Sequence, residues 1–467
     1  MAKTESRSPA GSYGGYYHRD VPEEDAELTH VGPGTPGGEY LRRFWHPVGV
    51  SSELKDLPKA IRILGEDLVL FRDGRGQVGL LEQHCSHRGT SLEFGTVERD
   101  GVRCCYHGWL YSTDGRVLDT PGEPPESRIK ERLFHGAYPT REHMGLVFAY
   151  MGPPEKRPEL PTYDIFDWPG YVAEPGPTGR DDMTPCNWLQ LAENNMDAVH
   201  TAFLHGLEEG RAKLERHRPG VDPEGTLEKY VDVGLKEWER DVSSVTTDMR
   251  GRALEWRETP SGMMYIHTLR AGEMVWVRLA DYILPTVDQI PRTLPLGELS
   301  DEMAFDPPRT TTWGVPVDDT HTTSFWLQYR PANVEGRPPS RWQFTNMSVR
   351  TYEDRQRQPG DFEGQVSQRS IAVHALEHLG WSDTGVLTLR RMLREGIRAV
   401  QRGEDPKGVD LARHGPIPTY GQSTIVRVPP AASPDADREQ LRAIGRSVFD
   451  ARHARMQPVP SPLAGEG

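Results

Sequence analysis

Two short hooks, Cys85-Ser86-His87 and, after sixteen intervening residues, Cys104-Cys105-Tyr106-His107, bring together the residue types best suited to metal chemistry. Thiolate sulfur and imidazole nitrogen are soft to borderline donors, and two such pairs held in turns can converge on one metal centre. The hooks read C-x-H and C-x2-H. Zinc can use the same four donors, but zinc knuckles and ribbons usually take C-x2-C or H-x3-5-H hooks.

The mixed pattern suits a Rieske [2Fe–2S] cluster, in which two Cys hold one iron and two His hold the other. Each hook also carries a glycine where the backbone must turn tightly: Arg88-Gly89 follows His87, and Gly108-Trp109 follows His107. The segment resembles the Rieske family motif. That resemblance implies Cys85 and Cys104 on one iron and His87 and His107 on the other. It places the second cysteine ligand three residues before the histidine, so Cys105 is expected to be a buried structural thiol.

A cluster of this kind moves single electrons, and a second pattern could consume them. Asp197, His200 and His205 read D-x2-H-x4-H, and two neutral imidazoles with one carboxylate on one face of a ferrous ion leave positions open for O2 and substrate. Taken alone, H-x4-H is equally the pattern of two ordinary histidines. The stretch from Trp188 to His200 is helical text, which puts Asp197 and His200 on one face. His205 lies five residues on, a rotation of about 140° in a regular helix, so a bulge or helix end is needed between the histidines. Gly206 offers a stop.

With both patterns in one chain, residues from about 28 to 420 resemble the oxygenase (alpha) component of Rieske non-haem iron oxygenases. The phrasing is nearest to the phthalate-type and methoxyaromatic O-demethylase branch: Val31-Gly32-Pro33-Gly34-Thr35-Pro36, Leu64-Gly65-Glu66-Asp67-Leu68-Val69, Pro185-Cys186-Asn187-Trp188-Leu189-Gln190 and Glu377-His378-Leu379-Gly380. Cys186, a lone thiol in one of these phrases, is expected to pack. The resemblance implies an α+β fold, with a small all-β Rieske [2Fe–2S] domain and a helix-grip catalytic domain built on a large antiparallel sheet and a C-terminal helix. It implies His200, His205 and Asp361 as ligands of a mononuclear Fe(II). The family's usual acidic pair is Glu-Asp, whereas this chain has Gly360-Asp361, which leaves Glu363 and Asp354 in reserve. It also implies that Asp197 joins a cluster histidine of one subunit to an iron-binding histidine of the next, within a homotrimer.

The implied activity is O2-dependent hydroxylation or O-demethylation of a small aromatic, carboxylated or methoxylated, with cis-dihydroxylation as the alternative. Electrons would come from NAD(P)H through a separate reductase, directly or through a ferredoxin. Neither a G-x-G-x-x-G following a strand nor a plant-type cysteine run occurs in the chain. A Rieske electron carrier without its own oxygenase activity is the rival from another class, and a zinc-stabilised binding protein is the third reading.

The elements around these residues fit that plan. The chain has 467 residues, enough for two or three domains with a full core, and its four cysteines do not make a disulfide framework. The expectation is a reducing, cytoplasmic setting without export or membrane span. A net charge of -14 argues against a nucleic-acid surface. Residues 1–27 read as a mobile arm, 28–155 as the cluster domain, 156–420 as the catalytic domain and 421–467 as a tail. Glu39 to Trp45 reads as a short helix, and Thr311–Val317 and Thr320–Tyr329 as a hairpin turning at Asp318-Asp319. From near Asp383 to Gly403 a helix carries Val386, Leu389, Leu393, Ile397 and Val400 as an apolar stripe.

Overall fold

Short apolar runs broken by turn residues favour several small antiparallel sheets over one large one. Three such sheets form between Trp45 and Tyr150 in the computed structural model, which describes residues 21–176, 183–204, 252–271, 273–291, 307–332, 351–357 and 359–456. One joins Trp45–Val50, Leu146–Tyr150 and Thr140–His143; a second joins Lys59–Ile63, Glu66–Arg72, Val78–Glu82 and Ala137–Tyr138. The third joins Thr96–Glu98, Gly101–Arg103, Leu110–Tyr111 and Val117–Asp119. Between the last two sheets lies a small core of Val69, Phe71, Leu81, Leu92, Val102, Trp109 and Tyr111, which includes the Cys85 and Cys104 side chains.

The longer alternating strands further along build a nine-stranded antiparallel sheet. Its main path runs through Tyr171–Pro175, His321–Pro331, Thr310–Asp318, Val287–Ile290, Met274–Ile283, Gly262–Ala271 and Arg252–Glu258. The expected hairpin is present, with Trp313 opposite Phe325 and Val315 opposite Thr323, but it turns at Asp319-Thr320, one residue later than expected, with Asp318 paired to His321. Because side chains alternate across a strand, Met263 and Tyr265 join the main core while Met264 and Ile266 join a separate one on the other face.

The main core is closed by the helices Trp188–Met196 and Thr384–Gln401. In the second of these, Val386, Leu389, Leu393 and Ile397 are buried as the stripe predicts. The two helices are also clamped by charge. Buried Arg390 donates to both oxygens of Glu193, at 2.6 and 2.8 Å, and to both oxygens of Glu377, at 2.6 and 2.9 Å.

Three expectations change. The first helix is Pro36–Leu41, and Trp45 opens a strand, because Thr35 caps the helix through the Gly38 N–H and Pro36 fits the first turn. Residues 422–427 are not tail but a strand pairing with Met274–Ile283, a role that the β-branched run Thr424-Ile425-Val426 favours. Pro434–Met456 is a helix whose Leu441 and Val448 cover the second face of the sheet. Finally, the helix from Trp188 stops at Met196, with Asp197 in an extended conformation, and a separate turn, His200–Phe203, follows. Among the described residues no helix is long and apolar enough to cross a membrane.

Candidate iron centres and substrate cavity

The two cysteine–histidine hooks share one backbone frame. In each, the cysteine carbonyl accepts from the N–H four residues on, Gly89 at 2.8 Å and Gly108 at 3.1 Å. The cysteine N–H in turn donates to the carbonyl five residues on, that of Thr90 at 2.9 Å and of Trp109 at 2.8 Å. Gly89 and Gly108 both sit at positive φ, 76° and 75°, where a side chain would be strained. The histidine occupies the third place of the first frame and the fourth of the second.

Cys85 and Cys104 are buried, and the His87 and His107 ring centroids lie 4.4 Å apart. His87 stacks on Trp109 at 4.7 Å, and its Nδ1 is buried without a hydrogen-bond partner. An orphaned imidazole nitrogen beside two buried thiols is a donor set that fits a [2Fe–2S] cluster. Tyr111 Oη lies 3.0 Å from Cys85 Sγ, and Ser86 Oγ lies 2.6 Å from Nδ1 of His135, which is fixed through Nε2 to the Glu82 carbonyl. The sequence reading missed Tyr111 and His135, since nothing in their spacing marks them.

Cys105 is exposed, not buried. Its place in the second frame corresponds to that of Ser86 in the first, which is also exposed. Once the preceding cysteine points into the core, the turn directs the next side chain outward. Cys186 behaves as expected: it is fully buried, and burial pushes its thiol up to about 12.

In the second centre, the break at Asp197 replaces the expected single helical face. The Asp197 Oδ1 accepts from the N–H groups of Val199, at 2.8 Å, and His200, at 3.3 Å, so this carboxylate starts the new turn. Its carbonyl lies 2.5 Å from Nδ1 of His200. The backbone therefore holds one ring nitrogen, and the other, Nε2, faces the Asp361 carboxylate at 3.5 Å. Asp361 begins the helix Asp361–Val366 and accepts from Asn194 Nδ2 at 3.2 Å. This pair could bind a divalent metal ion. His205 lies outside the described residues.

The reserve carboxylates are engaged elsewhere. Glu363 accepts from Arg355 Nε and from the Gly360 N–H, both at 2.8 Å, as a helix-capping residue does. Asp354 accepts from the Thr351 N–H and hydroxyl.

Asp361 also lines a cavity of about 120 Å3 between the sheet and the Trp188–Met196 helix. Trp188, Leu191, Ala192 and Trp326 give it an apolar wall. Its sheet wall follows the pleat: Asp288, Thr312 and Trp326 are register partners across three strands. Gly314, in the neighbouring row, leaves open space where a Cβ would stand. Asp288, also missed in the sequence, is buried and accepts from Asn195 Nδ2 at 3.1 Å. Burial pushes its carboxyl up to about 7, against the pull of Asn195, and the charge of Asp361 adds to the rise. The only available signal was a charged residue at an inward position of a strand, Val287-Asp288-Gln289-Ile290.

Glu193, His374 and Glu377 also come close enough together to suggest a cation site. The guanidinium of Arg390 already satisfies both carboxylates there.

Comparison with known proteins shows the family. Residues 44–139 match the Rieske [2Fe-2S] domain. The tert-butanol monooxygenase / tert-amyl alcohol desaturase oxygenase subunit of Aquincola tertiaricarbonis is 38% identical, over 96% of this chain and 94% of its own. Phenoxybenzoate dioxygenase subunit alpha of Ectopseudomonas oleovorans is 37% identical over 88% and 93%, respectively. The 5,5'-dehydrodivanillate O-demethylase oxygenase subunit of Sphingobium sp. is 30% identical over 86% and 88%. Among solved structures, a Pseudomonas putida CBB5 NdmA variant with caffeine shares the fold, with a TM-score of 0.54 at 20% identity over 79% of this chain and 94% of that one. Oxygenase components of this kind carry a [2Fe–2S] cluster and a mononuclear Fe(II), and work with a separate reductase or ferredoxin. Two hooks built on one frame, a carboxylate–imidazole pair at a cavity and relatives matched over nearly their full length together assign the chain to the Rieske non-haem iron oxygenases, as an oxygenase (alpha) subunit.

Proposed function

We propose that this subunit hydroxylates or O-demethylates a small single-ring substrate held in the cavity beside Asp361. The carrying observation is the 3.5 Å approach of His200 Nε2 to Asp361 at the cavity wall. Cys85, His87, Cys104 and His107 would hold the cluster, and His200, His205 and Asp361 the mononuclear iron. When bound, the cluster supplies single electrons and the Fe(II) centre activates O2.

The residues of the chain have positioning tasks. The Asp197 carbonyl fixes the tautomer and tilt of His200, and Asn194 fixes Asp361. Trp188, Leu191, Ala192 and Trp326 offer an apolar body to the substrate and exclude water. The cavity volume is near the ~150 Å3 of an apolar cavity known to take benzene, which supports a single ring over a fused or biaryl system. Its described lining contains two aspartates and no lysine or arginine, which favours a methoxylated substrate over a carboxylated one. The relative acting on tert-butanol makes a small alcohol the second reading.

We place the cluster domain at residues 28–155 and the catalytic domain at 156–420, with 421–467 attached to the latter. The assembly is a homotrimer, in which Asp197 carries electrons between the cluster of one subunit and the iron of the next. The setting is the cytoplasm, in keeping with four cysteines none of which is in a disulfide. The test is joint iron and acid-labile sulfide analysis, with product analysis in the presence of a reductase and NAD(P)H. About three irons and two sulfides per chain are expected from the two ligand sets. Two irons in a fully reconstituted sample that turns over no substrate would indicate an electron carrier.

A further inference from the structure

The carboxylate of Asp288 has two different sides. Its Oδ1 accepts from Asn195, whereas Oδ2, in a side chain only 6% exposed, has no hydrogen-bond partner. In the turn just before this strand, Thr286 Oγ1 is likewise buried and unpartnered, and both residues line the cavity. A buried acceptor left without a donor costs about 1–3 kcal/mol, more if charged, so a ligand that supplies the donor recovers that penalty on binding. Asn194 and Asn195 are consecutive, yet they serve different acids: Asn194 holds Asp361, and Asn195 holds Asp288.

We propose that Asp288 is the specificity-determining residue of the cavity, and that its Oδ2 accepts a hydrogen bond from a hydroxyl on an otherwise apolar substrate, with the Thr286 hydroxyl beside it. The inference rests on the reading of this cavity as the substrate site. Either a phenol or an aliphatic alcohol supplies the required group. With the carboxyl ionised, as it is at pH 8, ethers and carboxylates of the same shape leave Oδ2 unpaired or oppose it with a second negative charge, so the comparison is made at that pH.

The experiment compares matched pairs with the reconstituted holoenzyme: a methoxyphenol against the corresponding dimethoxybenzene and methoxybenzoate, and a small branched alcohol against its methyl ether. The parent enzyme should prefer the hydroxyl member of at least one pair by roughly 10- to 100-fold in kcat/KM. In Asp288→Asn the amide oxygen still accepts from Asn195, which turns the amide N–H2 toward the cavity. That variant should keep its iron and cluster spectrum, lose the hydroxyl preference and favour the ether. Preference for the phenol identifies the aromatic source, and preference for the alcohol identifies the aliphatic one. Equal turnover of both members by the parent, an unchanged ratio in Asp288→Asn, or loss of mononuclear iron in that variant would each overturn the proposal. Turnover of the alcohol pair alone, with the hydroxyl preference intact, would overturn the aromatic reading while sustaining the role of Asp288.

Discussion

His200 and Asp361 are 161 positions apart in the chain, and the Nε2 of one stands 3.5 Å from the Oδ1 of the other. Each is held from behind, His200 by the Asp197 carbonyl and Asp361 by Asn194. Such outer partners fix the direction in which a ligand atom points before any ion arrives.

The distinction between Asp361 and its reserve, Glu363, follows directly. Asp361→Ala should empty the mononuclear site and abolish turnover while leaving the visible spectrum of the oxidised cluster intact. Glu363→Gln should retain the iron and cost only about 0.5–2 kcal/mol, the usual range for a lost cap or exposed pair. Iron analysis of the two variants beside the cluster absorbance checks this. Iron lost from Glu363→Gln and kept in Asp361→Ala would reverse the assignment.

A second expectation concerns the electron entry. Tyr111 is fully buried, and its hydroxyl lies 3.0 Å from Cys85 Sγ. A hydrogen bond to a ligand sulfur favours the reduced, more electron-rich cluster. Tyr111→Phe removes it with little change in shape, so the potential should fall by on the order of 50 mV, about 1 kcal/mol for one electron. Redox titration followed by visible or EPR signals measures the shift. An unchanged potential would mean that the hydroxyl does not contact the sulfur once the cluster is bound.

How far these sites were legible depended on how local their signal was. The hooks announce themselves because donors and turn glycines fall within five residues of one another, and a tight turn fixes their relation whatever surrounds it. The hairpin at Asp318 and the apolar stripe of the 384–401 helix are legible for the same reason of short period. The break after Met196 was not. Nothing in Asn194-Asn195-Met196-Asp197 forbids another helical turn, and it is the capping of the following N–H groups by Asp197 that stops it. Asp288 was hidden because its meaning depends on Asn195, 93 positions away, and on a cavity assembled from five strands and two helices. The 434–456 helix was read as tail because its few apolar residues look weak until the second face of the sheet is seen to need a cover.

Another buried acid predicts the pH dependence of stability. Asp281 is 1% exposed; one oxygen accepts from the Tyr420 N–H at 2.9 Å and the other has no partner. Burial pushes this carboxyl from 3.8 to about 7, opposed by the Tyr420 N–H and raised further by Asp164. The folded state therefore holds a proton that the unfolded chain releases above about pH 4. This contribution is fully present below the unfolded value and is lost as pH rises toward 7. Asp281→Asn cannot titrate, so between pH 5.5 and 7.5 the variant should gain about 2 kcal/mol relative to the parent. Urea unfolding at the two pH values measures the difference. A gap that stays constant would show that Asp281 is ionised in the fold throughout.

The final prediction concerns Asp197 and the proposed trimer. Asparagine at this position keeps a side-chain oxygen to accept from the Val199 and His200 N–H groups, so the turn that presents His200 should survive. The lost feature is the negative charge that would link a neighbouring cluster histidine to this iron. Asp197→Asn should therefore bind both metals and accept electrons from the reductase into its cluster, yet fail to re-oxidise that cluster when substrate and O2 are added. Co-expression with Cys85→Ser chains, which lack a cluster, supplies the geometric control. In a head-to-tail trimer, a Cys85→Ser subunit with its own intact Asp197 can draw electrons from the cluster of an Asp197→Asn neighbour, so mixed trimers should regain part of the activity. If mixed trimers form and remain inactive, or if Asp197→Asn alone turns over at the parent rate, electrons do not cross the subunit boundary through this carboxylate.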